Sequence, residues 1–144
     1  MRILIASAVL AAACGTALAQ PAAPSLEGTW SGPFRTVIFG NNVHHPGEED
    51  VASPPRIREI TFTIDVEGQD GRLFWGHSWS DPATKEPFAG SLTADGRTAI
   101  AADTDGSMTM TVGDDGGMEV CYSHSGHGPS GSIVVTCGSL TRAE

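Results

Sequence analysis

Basic residues are scarce in this chain: eight Lys and Arg stand against seventeen Asp and Glu, for a formal net charge of −9. Phosphate recognition depends on clustered cations, and these are scattered, which argues against nucleic acid and disfavours an anionic membrane surface. Long apolar runs are also missing. Past the amino end, no stretch approaches the roughly 20 residues of a transmembrane helix. Only three cysteines are present, none in a Cys-x-x-Cys pair, so a thiol redox role has no support. There is no nucleophile elbow and no His-Glu-x-x-His, and the carboxylates fall in turns where acidities are rarely tuned. The chain therefore reads as non-enzymatic, with no cofactor.

What is abundant is turn chemistry. Eighteen Gly and nine Pro accompany frequent Thr, Ser and Val, a composition of short strands rather than long helices. Met1-Arg2, an apolar run to Ala13 and the small-x-small pattern Ala17-Leu18-Ala19 read as a secretory signal peptide over 1–19. The alternative at that end is a lipid anchor at Cys14. Residues 20–25, Gln-Pro-Ala-Ala-Pro-Ser, read as a flexible tether. Residues 26–142 then form one domain.

Within that domain the apolar pattern has period two. It predicts eight strands, at about 28–39, 58–66, 72–80, 86–93, 97–103, 107–112, 118–124 and 132–141. Gly68-Gln69-Asp70-Gly71, Ala94-Asp95-Gly96 and Asp105-Gly106 supply turns, with Asp95-Gly96 suited to the positive φ angles of a primed hairpin turn. Eight strands joined mainly by hairpins close well into an antiparallel up-and-down β-barrel, an all-β fold whose interior holds side chains or one small ligand. A hairpin symmetric about Pro129 sets Cys121 opposite Cys137, and a disulfide between them is expected in an oxidising compartment.

Gly28-Thr29-Trp30 at the start of the first strand, with Arg142 at the end of the last, resembles the Gly-x-Trp and Arg signature of the calycins, the lipocalin-like and avidin-like barrels. The resemblance implies that Trp30 plugs the closed end and Arg142 packs across it. The size is closer to the avidins, but their biotin-contacting positions find no match here. The chain is also similar to the small periplasmic metalloprotease inhibitors, secreted eight-stranded barrels with a Gly-x-Trp and one disulfide. That likeness implies an insertion role for the tether.

In an up-and-down barrel, successive connections alternate between ends. One end gathers short turns; the other gathers the loop 40–56, the turns near 81–85 and 104–106, and the loop 125–131, and so reads as a mouth. All five histidines, His44, His45, His77, His124 and His127, are predicted at or near it. With Glu48, Glu49 and Asp50 nearby they could offer metal ligands, but their spacing matches no closed zinc site, and no metal is assigned. Asp103-Thr104-Asp105-Gly106 is read as a plain turn rather than a calcium loop.

The aromatic run 73–79 has two registers, with either Phe74, Gly76 and Ser78 inward or Leu73, Trp75, His77 and Trp79 inward. Trp75, Trp79 and Phe88 are taken as candidate cavity wall and the histidines as rim. The resulting expectation is a secreted barrel binding a small apolar or aromatic molecule. Its competitor is a secreted protein partner, bound through the tether or the 40–56 loop.

Overall fold

Alternation of apolar and polar residues puts every second side chain on one face, and in this chain the apolar face closes on itself. The computed structural model describes residues 23–41, 44, 53–126 and 131–143. The expected signal segment, most of the expected tether, His45, His127 and Glu48 to Asp50 lie outside the described residues.

The strands are β1 (Gly28–Phe39), β2 (Arg56–Asp70), β3 (Leu73–Trp79), β4 (Glu86–Leu92), β5 (Thr98–Ala102), β6 (Gly106–Val112), β7 (Met118–Ser125) and β8 (Ile133–Arg142). Each pairs antiparallel with its neighbour, and β8 returns to β1 to close the barrel. A single 3₁₀ turn, Pro82–Thr84, joins β3 to β4, with the Asp81 carboxylate accepting from the Ala83 N–H at 2.9 Å.

Two local expectations are corrected. Residues 68–70 do not turn; they continue β2 past a bulge between Val66 and Gly68 and pair with residues 73–75. Gly68 allows this because the Trp75 indole lies against it where a side chain would stand. The 94–96 turn is not a primed two-residue turn either. Gly96 alone there has positive φ, at 69°, and its N–H donates to Thr93 O at 3.1 Å. The Asp95 carboxylate accepts from the Thr93 hydroxyl and the N–H groups of Thr98 and Arg97. Those donors hold its pKa well below the usual carboxylate range.

The inward side chains grade along the barrel axis. Around the short-turn end, Trp30, Ile64, Val66, Leu92, Ala99, Met110, Met118, Val120 and Leu140 are all buried. Leu26 caps this end, buried under the chain that enters β1, and its carbonyl accepts from Trp30 Nε1 at 2.8 Å. The Arg142 guanidinium lies 4.5 Å from the Trp30 ring centroid and donates to Ser25 O at 2.7 Å. Gln69 also bonds Pro24 O and the Leu26 N–H. Residues 23–25, expected to belong to a free tether, are therefore laid across the closed end.

Toward the other end the interior turns polar. Thr36, Ser78, His124 and Thr136 are buried there among Ile38, Phe62 and Val134. Thr36 and Thr136 stand opposite each other in the β1–β8 ladder, and each hydroxyl donates to a carbonyl of the other strand, at 3.4 and 3.2 Å.

Cys121 and Cys137 are opposite residues of the β7–β8 ladder and are joined by a disulfide on the outer surface. No helix among the described residues is long and apolar enough to cross a membrane.

Candidate functional site

The polar end of the interior opens into a small cavity. Its inner walls are Ile60, Phe62 and Val134 with Thr36, Ser78 and Thr136; its rim is His44, Trp79, Thr84, Glu86, Asp103 and Tyr122. The free volume is about 40 Å³, room for about three water-sized groups. Aromatic rings pack closely beside and beneath it. Phe34 and Phe62 pack with centroids 5.2 Å apart, and Phe62 and Tyr122 at 6.1 Å. The cavity sits at the end that the loop pattern marks as the mouth.

Strand register decides what reaches this cavity. Ile64 and Val66 of β2 face inward and stand opposite Ser78 and Gly76 of β3, so Phe74 shares the inner face and its neighbours do not. Trp75 therefore points outward and is 47% exposed, contrary to its expected place in the cavity wall. With Phe34, Phe62, Phe74, Phe88 and Trp30 already buried, a barrel of eight strands has no space for a further indole. Phe88 does face inward, but it packs edge-on against Phe74, with centroids 6.0 Å apart, below the cavity rather than on its wall. Trp79, last in β3, is half-buried at the rim and does line the cavity, with Lys85 Nζ 4.0 Å from its centroid.

The described histidines divide. His44 is at the rim, its Nε2 3.3 Å from Glu86 Oε1. His124 is buried at the end of β7, its Nδ1 3.0 Å from both the backbone oxygen and Oδ2 of Asp105. His77 is not at the mouth: it lies on the outer wall of β3, with Nδ1 2.7 Å from Glu67 Oε1.

The sequence reading gave no role to the acidic side of the mouth. Glu86 opens β4, and Asp103 and Asp105 flank the β5–β6 turn, where Asp103 Oδ1 accepts from the Gly106 N–H at 2.6 Å. Thr104 donates to Glu86 Oε1, and the Tyr122 hydroxyl donates to Asp105 Oδ1 at 3.0 Å. Burial first, then the Asp103 and Asp105 charges, push the Tyr122 phenol far above its ordinary value. Ligand atoms of His44, Glu86 and Asp105 all lie within 4.8 Å of one another. The pointers available in the sequence were the Asp-Thr-Asp-Gly string and the only tyrosine of the chain. Neither reveals that two turns from different hairpins meet.

The outer wall carries an apolar face of its own. Leu73 and Trp75 of β3 flank Ala89 and Ser91 of β4, and Ile100 of β5 completes the patch on the far side of Ser91. Leu73 and Ile100 are 58% and 63% exposed.

Compared with protein-family models, curated proteins and solved structures, the chain matches none.

Proposed function

We propose that the chain is a secreted, non-enzymatic barrel of calycin type that takes a small, largely apolar molecule through its mouth. The observation behind the reading is the asymmetry of the barrel. One end is sealed by Leu26, Trp30 and Leu140, and the other opens into a cavity walled by Ile60, Phe62 and Val134 beneath a polar rim. Pre-formed concave sites with apolar walls and a few polar groups are where small ligands bind. The enclosed volume admits only a few heavy atoms, so the ligand leads with a small apolar group and leaves its remainder at the rim. The Trp30–Arg142 contact at the sealed end supports the calycin affiliation.

The test is native mass spectrometry of protein purified from a secretory compartment without denaturation. A retained small molecule is expected on a chain beginning at Gln20. Ile60→Phe, which narrows the cavity, should lower its retention about tenfold, equivalent to about 1.4 kcal/mol. Trp75→Ala, on the outer wall, should leave it unchanged. A spectrum with no adduct, or retention indifferent to Ile60→Phe, counts against the reading.

The second reading is a secreted protein partner, favoured by the exposed face of Leu73, Trp75 and Ile100. Under it, Trp75→Ala lowers capture of the partner while cavity variants do not.

A further inference from the structure

We propose that His44, Glu86 and Asp105 are the protein ligands of a divalent first-row transition metal at the barrel mouth, zinc being the fitting class. The three come from separate elements: the loop after β1, the first residue of β4 and the turn between β5 and β6. Their convergence is thus a product of the barrel rather than of a local acidic run.

Geometry supports the assignment. Zinc–nitrogen and zinc–oxygen bonds of about 2.0–2.1 Å at a tetrahedral centre place two ligand atoms about 3.3–3.4 Å apart. His44 Nε2 and Glu86 Oε1 are 3.3 Å apart. The ligand atom of Asp105 lies within 4.8 Å of both of the others.

The surroundings are those of oriented ligands. Thr104 donates to Glu86, and Tyr122 and His124 bond Asp105, so both carboxylates are held by second partners. Such outer partners fix ligand direction at metal sites. Glu86, Asp103 and Asp105 gather three carboxylates at this rim, a field that favours a cation. One imidazole with two carboxylates suits zinc, cobalt or manganese; calcium, which needs six to eight oxygens, does not fit. The three ligands use none of the cavity's apolar wall residues, so the proposal does not depend on which organic molecule enters it.

The test uses the untagged full chain, stripped with chelator. It is titrated with Zn²⁺ by calorimetry and with Co²⁺ by visible absorption. One equivalent is expected to bind and to raise the thermal midpoint. His44→Ala and Glu86→Gln should each weaken binding by at least the 10–100-fold typical of losing a mere outer partner, and should abolish the midpoint rise. Tyr122→Phe should weaken it by about that range, and His77→Ala should change nothing. Both ligand variants alter rim side chains, and far-UV circular dichroism verifies their fold. Asp105→Asn gives a third reading if either variant misfolds. Absence of saturable binding overturns the proposal. So does binding that survives both ligand variants, or that is lost only with His77, His45 or His127.

Discussion

Tyr122 shows how one side chain reports on a whole rim. Its ring packs against Phe62, its hydroxyl reaches Asp105, and burial together with the carboxylates raises its phenol above the ordinary 10.0. Because the folded state holds this proton more tightly than the unfolded chain does, the stability it contributes is fully present below pH 10. It is lost as the pH climbs above that value toward the folded one. Tyr122 is the only tyrosine and Lys85 the only lysine, so alkaline titration is simple to interpret. Phenolate absorbance should stay absent above pH 10 until the chain unfolds, and both should then appear together. Tyr122→Phe should lower stability by about 1 kcal/mol at neutral pH, from the lost hydrogen bond, and flatten the alkaline decline. Phenolate formed in the folded protein near pH 10 would show that the hydroxyl is not shielded as described.

At the scale of elements, the sequence was informative where chemistry is local. The strands follow from period-two alternation and from Gly, Asp and Pro at the turns, and six of the eight differ from expectation only by a residue or two at an end. Where a neighbour decides, it was not informative. The bulge after Val66 depends on Trp75 lying over Gly68, and the orientation of Trp75 depends on which residues of β2 it pairs beside. The run Leu73 to Trp79 carries aromatics on both faces, Phe74 on one and Trp75 and Trp79 on the other, so alternation alone does not choose its register. The β7–β8 hairpin was legible because its two cysteines fix its register. Cys121 is half-buried and Cys137 exposed, so replacing both by Ser opens no cavity in the core. The sequence separation is 16, and losing the cross-link should cost about 3 kcal/mol by the chain-entropy estimate. In urea the midpoint should fall by roughly 1–3 M with the slope nearly unchanged. An unchanged midpoint would mean that the ladder, not the bridge, holds this hairpin.

For the whole molecule, what matters is that the two ends of the barrel are built differently and that the described termini meet at only one of them. Trp30 pairs with Arg142, and the Ala143 N–H donates to Thr29 O at 2.8 Å, so the described termini meet at the sealed end. The mouth, by contrast, is assembled from His44 and the 81–85 and 104–106 turns, which no short stretch of sequence links. That is why the sealed end was readable from a Gly-x-Trp and an Arg, while the meeting of Glu86 with Asp105 was not.

If the β1–β8 seam is what organises the fold, its covalent order is immaterial. A circular permutant joining residue 143 to residue 23 through a short flexible linker, with new ends in the exposed turn at Asp114-Asp115, keeps all eight ladders. It should unfold in one cooperative step, because exposed turn tips tolerate such breaks. It should also keep whatever binds at the mouth, since the cut lies at the opposite end. Removing β8 instead leaves β1 and β7 as long open edges, which should abolish the cooperative transition and drive association into larger species. Sedimentation and urea titration of the two proteins side by side decide the matter. A permutant that fails to fold while the β8 deletion remains monomeric and cooperative would show that the seam is not the organising contact.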